Sequence, residues 1–574
     1  MTRPVANYHS AEWMRRYDRD KFVKDMVAAI IVAIMLIPQS LAYALLAGLP
    51  PEVGLYSSIL PLIGYALFGT STSLSVGPVA ITSLMTASSV GSVAASGTAD
   101  YLTASIQLAA MSGILLLLFG VLKLGFLASF LSHTVVSGFI TASAIIIALS
   151  QTKHILGIEA EGDNIIHLTT SIYNHIDTWS MLTLVIGFSA VLFLYLVRLR
   201  AVTLLQMLGI SKSAASLIAR SAPVAVVILG IAAVSVYGLD SQGVATVGTI
   251  PAGVPALGLP NFSLQLAREL LIPAVMISII GYVESISVGR TLGAKRKEAV
   301  NSDQELIGLG VANLASSVSG GFPVTGGFSR SVVNFDAGAV TQAASIFTAG
   351  FIALATLYLT PALQNLPRAV LAATIIVAVL SLVDFKTVRN TWHFSRSDGL
   401  AVTATLVATL LLGVELGVLC GVSLSLGLYI NRTLKPHIAE VGLVEGTEHF
   451  RNVRRYQVST VPQILTLRVD ESLFFANAAY LEAQIYDQIF DHDHIAHVVV
   501  MCAAINEIDY SALEVLEEIN RRLDEQGIVL HLSEVKGPIL DKLQGTHFLQ
   551  HLTGKVYLSQ FQAWTELSQR YAGH

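Results

Sequence analysis

A run of glycine, proline and hydroxyl residues closed by a cation lies between long apolar stretches of this chain: Gly320-Gly321-Phe322-Pro323-Val324-Thr325-Gly326-Gly327-Phe328-Ser329-Arg330-Ser331. These residue types suit anion binding. Glycine lets backbone amides approach a ligand closely, a serine hydroxyl can donate, and a guanidinium carries a full positive charge. A second, shorter break, Thr72-Ser73-Leu74-Ser75-Val76-Gly77-Pro78, occurs in the first half of the chain. At bilayer depth, irregular backbone survives only where protein or a water-filled cavity satisfies its polar groups, and an arginine there defaults to a functional role. A short apolar segment starts at each break, near 78–93 and 329–338. A helix tip presents unpaired N–H groups and about half a positive charge, so two tips meeting head to head would converge on one anion. Pro78, expected at a first helical position, and the Gly326-Gly327 pair fit this use, with Ser329 and Arg330 as further donors. The reading requires Gly77 and Ser329 to lie close together at half depth. The alternative is two ordinary surface loops with an interfacial arginine.

Two more groups carry chemistry. Glu284 lies well inside the apolar stretch Ile279-Ile280-Gly281-Tyr282-Val283-Glu284-Ser285-Ile286-Ser287-Val288. A lone buried carboxylate tends to take up a proton and can couple proton movement to substrate movement; alternatively it is a structural partner of Arg330 or of a helix tip. Pro38-Gln39-Ser40-Leu41-Ala42-Tyr43 places Gln39 and Tyr43 four apart, on one helix face, with Pro38 expected to kink that helix. Gln39 can donate to an anion and Tyr43 can wall a cavity; both can equally serve as polar contacts between helices.

The elements that must hold these groups are read from composition. Of 574 residues, 53% are hydrophobic and 13% charged, against about 25% charged in soluble chains. Mean hydropathy is +0.65. The deficit of charge falls within 25–433, whereas 435–574 is ordinary in composition, so the net charge of −5 averages two materials. Apolar windows of spanning length lie near 24–46, 53–69, 101–121, 128–150, 179–197, 222–238, 266–290, 303–319, 342–360, 367–383, 398–413 and 415–433. With the two short segments they make fourteen. Arg15, Arg16, Arg19, Lys21 and Lys24 precede the first window, which runs on without a cleavage site, so the N-terminus is expected in the cytoplasm and uncleaved. Loop cations agree: Arg198, Arg200, Lys212 and Arg220, then Arg290, Lys295, Arg296 and Lys297, then Lys386, Arg389 and Arg396 fall on that side, against Lys153, Arg268 and Arg368 on the other. Both short segments are third in a series of seven. Seven is odd, so the second half (about 260–434) is inverted relative to the first (about 25–240).

In Ile37-Pro-Gln-Ser-Leu-Ala-Tyr-Ala44, Gly54-Leu-Tyr-Ser-Ser58, Phe68-Gly-Thr-Ser71, Ser75-Val-Gly-Pro78, Glu284-Ser-Ile-Ser-Val-Gly-Arg-Thr291 and Phe328-Ser-Arg-Ser331, the chain resembles the SulP family of anion transporters, the sulfate-permease class that includes prestin and pendrin. The resemblance covers nearly the whole chain. It implies a polytopic α-helical membrane protein, a 7+7 inverted repeat of fourteen segments split into a core domain (helices 1–4 and 8–11) and a gate domain (5–7 and 12–14), typically a homodimer with elevator-like motion. It implies substrate-site roles for Gln39, Tyr43, Pro78, Val79, Gly327, Phe328, Ser329 and Arg330, and the acidic helix-8 position for Glu284. Sodium-coupled bicarbonate members carry Asp there and Thr one turn on; this chain has Val288 at the latter position, which favours proton symport of sulfate. Bicarbonate or dicarboxylate transport, an uncoupled channel or exchanger, and a membrane-bound regulatory platform remain as alternatives. The expected partners are an inorganic anion, a coupling proton, the lipid bilayer and a second copy, in the cell's inner (plasma) membrane, with neither cofactor nor nucleic acid.

After the cytoplasmic N-terminal segment 1–24 and the transporter domain 25–434, residues 455–574 read as a small soluble domain. Strands at 463–470, 496–503 and 527–535 alternate with amphipathic helices near 477–491 and 511–525, a βαβαβ pattern of an α/β fold. It resembles a STAS domain, with Asp509-Tyr510-Ser511-Ala512-Leu513 matching the loop whose serine is phosphorylated in soluble regulators of this fold. Ser511 and Glu514 also form an S-x-x-E capping box, which explains the serine locally. The run Asp491-His492-Asp493-His494, with His497 nearby, lacks a standard zinc spacing and reads as a solvated loop. Cys420 and Cys502 lie in different parts of the chain, so neither a disulfide nor a metal site is expected. No G-x-x-x-x-G-K-[ST] loop or hydrolytic triad is present, which disfavours an ATP-driven pump and leaves no enzyme signature.

Overall fold

Long apolar runs in this chain form helices, because only a helix satisfies its own backbone when surrounded by hydrocarbon. A computed structural model describes residues 12–571 except 16, 130, 131, 163, 212–214, 216, 217, 220, 252, 491 and 493. Arg16, Lys212, Arg220, Asp491 and Asp493 therefore lie outside the described residues. The first half comprises α1 (Arg19–Leu46), α2 (Pro51–Tyr56, continued by Leu60–Phe68), β1 (Val76–Gly77), α3 (Ala80–Gly91), α4 (Ala99–Val121), α5 (His133–Leu156), α6 (Met181–Leu196) and α7 (Ala222–Tyr237). The second comprises α8 (Leu271–Arg296), α9 (Ser302–Val318), β2 (Thr325–Gly326), α10 (Phe328–Asp336), α11 (Ala343–Tyr358), α12 (Arg368–Val379), α13 (Arg396–Leu412) and α14 (Val414–Leu434). Seven helices of the described residues are long and apolar enough to cross a membrane unaided. The rest of the fourteen are shorter or interrupted; among them α3 and α10 are the third helices of the two halves, which start at the breaks.

Helix packing repeats between the halves. In one group α4 lies against α9, α9 against α2 and α1 against α11; in the other α5 lies against α12 and α13, and α12 against α6. The α5–α13 contact has its counterpart in α12–α6, and α1–α3 in α8–α10. Small residues let backbones approach where the packing is tightest. A Cβ on Gly113 of α4 would fall 2.8 Å from the Leu314 nitrogen, and one on Gly310 of α9 would fall 2.8 Å from the Leu117 nitrogen.

Two fully buried carboxylates tie loops to this helical frame. Glu305 of α9 accepts from the Thr70 amide (2.7 Å), the Thr70 hydroxyl (2.6 Å), the Ser71 amide (3.0 Å) and the Tyr65 hydroxyl (2.8 Å). This fixes the stretch between α2 and β1. Asp25 of α1 does the same before α11, accepting from the Val340 and Thr341 amides at 2.6 and 3.1 Å and from the Thr341 hydroxyl at 2.5 Å. Glu305→Ala would strand several buried donors and cost roughly 3 kcal/mol. A thermal melt of the purified protein should show a drop of several degrees, and a smaller one for Glu305→Gln, which keeps an acceptor oxygen.

The chain divides into two compact units, Met1–Ser425 and Leu426–His574. Within the second, β3 (Ile438–Leu443), β4 (Phe450–Asn452), β5 (Ile464–Val469), β6 (His497–Met501), β7 (Val529–Ser533) and β8 (Val556–Tyr557) form one sheet in the order β4-β3-β5-β6-β7-β8. Strands β5 to β8 are parallel; β3 runs antiparallel to both its neighbours. Helices α15 (Ala478–Phe490), α16 (Tyr510–Glu525), α17 (Gly537–Gln544) and α18 (Gln560–Ser568) complete the unit. The three expected strands and two helices are present. Strands β4 and β8 escaped the sequence reading because they are short edge strands, and β3, which lies between β4 and β5, because Glu440 and Gly442 weaken its apolar pattern.

Candidate functional site

The two breaks meet. Val76 pairs with Gly326 and Gly77 with Thr325 in a two-residue antiparallel ladder, so sequence stretches some 250 residues apart form one small sheet. Protein groups satisfy the ladder's extended backbone, which is what permits it at this depth. Beyond the ladder, the Ser73 carbonyl accepts from Asn334 (3.2 Å), the Ser75 amide donates to the Ser331 hydroxyl (3.0 Å), and the Gly326 amide donates to Ser285 (2.8 Å). Asn313 clamps Val324 from both sides, accepting from its amide at 3.0 Å and donating to its carbonyl at 2.9 Å.

Arg330 closes the junction. Its Nε donates to the Ser75 carbonyl at 2.8 Å, and its Nη2 to the carbonyls of Gly77 (2.6 Å) and Thr325 (2.7 Å). One guanidinium thus joins both halves of the chain. It is 3% exposed, and its Nη1 is buried without a protein partner. Glycine is required on either side of it: a Cβ on Gly77 would fall 2.8 Å from Nη1, and one on Gly327 2.8 Å from Nε.

Helices α3 and α10 start from this ladder, with Val79 and Gly327 at their N-caps. Neither tip is capped by a side chain, whereas α4, α5, α6 and α9 are capped by Thr98, Ser132, Ser180 and Asn301. Pro78, expected at a first helical position, instead precedes the N-cap, because extended backbone continues through Val79. Both tips line a cavity of about 510 Å3. Gln39, Tyr43, Pro78, Val79, Glu284, Gly327, Phe328, Ser329 and Arg330 all face it, and Gly77 lies directly behind on the ladder. Phe328 and Ser329 are exposed to the cavity, while Gln39 and Tyr43 are half-buried along one face of α1. Pro38, within the continuous helix α1, also lines it and leaves a carbonyl one turn earlier without its usual donor. Glu284, expected as a lone carboxylate, has a buried Oε2 with no hydrogen-bond partner, unlike Glu305 and Asp25. The alternative of two surface loops does not match this geometry.

The cavity is one-sided. The end of α6 (Leu194) and the turn that continues it (Arg198), the start of α7 (Ala222, Pro223) and the end of α12 (Val377, Val379) line it. Counted crossing by crossing from α1, these ends lie on the side where α1 begins. On the opposite side, the Ser89 hydroxyl of α3 hydrogen-bonds Glu415 at the start of α14. The gate wall is not visible in the sequence, because apolar residues facing a cavity read like any others. By position alone Arg198 reads only as a loop cation.

In the second unit, α16 is capped by Asp509, whose Oδ1 accepts from the Ala512 amide at 2.8 Å. The capping box expected of Ser511 and Glu514 is therefore corrected: the aspartate two residues earlier takes the cap, leaving Ser511 exposed in the first turn. His497, grouped with the acidic run in sequence, is the buried first residue of β6, with its Nδ1 3.1 Å from Nε2 of His531. Burial, with His497 beside it, pushes the His531 imidazole down to about 4, so it is neutral at physiological pH. Burial pushes the Cys502 thiol up to about 12, which makes it unreactive.

Fourteen segments in two inverted halves, whose broken helices meet tip to tip inside a one-sided cavity, define a multi-pass membrane transport protein. The chain belongs to the sulfate permease family, whose model matches residues 22–405, and it carries a STAS domain matched over 455–563. It is 36% identical over 534 residues to "Sulfate transporter 4.1, chloroplastic" of Arabidopsis thaliana, covering 91% of this chain and 76% of that one. It is 33% identical to a "Probable sulfate transporter" of Mycobacterium tuberculosis, covering 94% of each. The fold matches that of the murine Slc26a9 anion transporter in the inward-facing state with a TM-score of 0.86 at 22% identity, over 97% of this chain and 93% of the other. It also matches the transmembrane domain of a cyanobacterial bicarbonate transporter, BicA, with a TM-score of 0.61 at 21% identity, over 71% and 98%.

Proposed function

We propose that this protein carries an inorganic oxyanion, sulfate first, across a membrane by proton symport. The observation that carries the reading is the pair of uncapped helix tips and the Arg330 guanidinium on one cavity. Amide dipoles and a fixed cation form a positive pocket that needs no side-chain carboxylate or metal to hold an anion. Gln39, Ser329 and the backbone around Gly77, Pro78, Val79, Gly327 and Phe328 supply the donors, and Tyr43 walls the pocket. Glu284, unpaired on the same cavity, is the coupling group: protonated as the anion binds, it offsets part of the translocated charge.

The cavity opens on one side only, and two groups of helices pack separately around it, which supports alternating access by an elevator-type movement of the core group (α1–α4, α8–α11) past the gate group. In this reading the protein sits in the inner (plasma) membrane as a homodimer. Both termini are cytoplasmic, with 1–24 leading the transporter domain 25–434 and the STAS domain spanning 455–574. Ser511 is a candidate regulatory position, since a phosphate there would sit in the first turn of α16, where the helix dipole favours negative charge.

Purified protein in proteoliposomes should accumulate [35S]sulfate, faster with an inward proton gradient and indifferent to sodium. Excess unlabelled sulfate should compete, and bicarbonate, chloride or a dicarboxylate much less. Stronger competition by bicarbonate or a dicarboxylate would reassign the substrate; uptake without proton flux would leave an uncoupled exchanger or channel.

A further inference from the structure

We propose that Arg198 is a second anion-contacting residue, a docking point on the gate wall that substrate meets before it reaches Arg330. The inference rests on the anion-transport reading above and extends it to the other wall of the cavity. Of the side chains lining that cavity, three are charged: Glu284 and Arg330 on the core side and Arg198 on the gate side. The gate wall is otherwise apolar or hydroxyl. Its hydroxyls are turned to their own helix, Thr374 donating to the Leu371 carbonyl at 2.7 Å and Ser381 to the Ala378 carbonyl at 2.5 Å.

The local backbone explains how Arg198 comes to face inward. Helix α6 ends at Leu196, and Val197–Ala201 continues it as a π-helical turn before the α-helix resumes at Val202–Met207. Such a turn inserts one residue and rotates the helix beyond it, and it occurs preferentially at functional sites. Arg198 lines the cavity; Arg200, two residues on, does not. A single tether aims the side chain. Its Nη1 donates to the Val377 carbonyl at 2.9 Å, in the last turn of α12, where the helix tightens into a 3-10 turn at Leu380–Leu382 and the final carbonyls lack helical donors. Nε and Nη2 form no hydrogen bond, and no carboxylate pairs with the guanidinium, among the described residues. Arg198 therefore presents an exposed, uncompensated cation with spare donors at the mouth of an anion cavity. It raises the local anion concentration and offers a first contact for an oxyanion, whose geometry suits a guanidinium fork.

A purely structural role, capping α12, predicts something different, and two substitutions separate the roles. Arg198→Gln retains a donor for Val377 and loses the charge; Arg198→Lys retains the charge and loses the fork. Binding of [35S]sulfate to the purified full-length protein is measured at ionic strengths of about 0.02 M and about 0.5 M, where the Debye length falls severalfold. At low ionic strength the Arg198→Gln dissociation constant should rise about fivefold over that of the unmodified protein, and at high ionic strength the two should converge. Convergence also shows that the variant is folded. Arg198→Lys should keep the ionic-strength dependence of the unmodified protein. Equal affinity of Arg198→Gln and the unmodified protein at low ionic strength overturns the role, as does equal loss in both variants at both ionic strengths, which would leave α12 capping as the explanation. Failure of the unmodified protein itself to bind sulfate overturns the substrate assignment, and this docking role with it.

Discussion

Replacing Arg330 with alanine should reduce sulfate uptake in proteoliposomes by at least about 100-fold, the largest single effect expected anywhere in the chain. Two effects add. The pocket loses its one buried cation, and the carbonyls of Ser75, Gly77 and Thr325 each lose the guanidinium as a donor, Ser75 keeping the Gly327 amide at 3.2 Å. Lysine should not restore activity. An ammonium is a point charge and cannot present Nε and Nη2 in the fixed plane that spans both strands of the ladder. The expected result for Arg330→Lys is therefore uptake closer to Arg330→Ala than to the unmodified protein. Substantial uptake by Arg330→Lys would mean that charge alone suffices and that the fork is dispensable.

The second large effect is expected at Glu284. Glu284→Gln keeps the shape of the side chain and removes its ability to exchange a proton. In the unmodified protein, uptake should rise as the external pH is lowered, because the proton enters with the anion. In Glu284→Gln that dependence should flatten, and an imposed proton gradient should no longer drive accumulation. Anion exchange across the membrane at equal pH should persist, since a neutral amide mimics the protonated state. Uptake measured from pH 5 to pH 8 with and without a gradient checks this. A variant that still concentrates sulfate on a proton gradient would remove Glu284 from coupling.

The site residues legible in the sequence stand out through incongruity. Glycines, a proline and an arginine between apolar runs are legible because the bilayer penalises them unless they serve a purpose, and both runs come together as a ladder. Glu284 is legible for the same reason. The supporting groups are not. Asn313, Ser285, Ser331 and Asn334 satisfy the backbone of the breaks, yet small polar residues are common in packed membrane helices and none announces its partner. Glu305 and Asp25 lie near helix ends, where a carboxylate reads as exposed, and only the three-dimensional arrangement shows the amides they hold. Helix boundaries agree to within about six residues, the largest offsets being α5 (expected 128–150, found His133–Leu156) and α8 (expected 266–290, found Leu271–Arg296). The usual preference of proline draws Pro78 toward the helix, and the extended ladder keeps it out. A local motif draws Ser511 toward the cap, and Asp509 outcompetes it because its carboxylate also accepts from the Phe475 amide at 2.9 Å.

The ladder between Val76–Gly77 and Thr325–Gly326 has a bearing on how the protein is made. The earlier strand is synthesised some 250 residues before its mate, so for most of translation it lacks the neighbour that satisfies its carbonyls. A ribosome stalled before residue 325 would leave a chain with half a pocket and an unmatched polar seam. Two separately expressed halves, split between α7 and α8, would regain a binding site only by finding each other in the membrane.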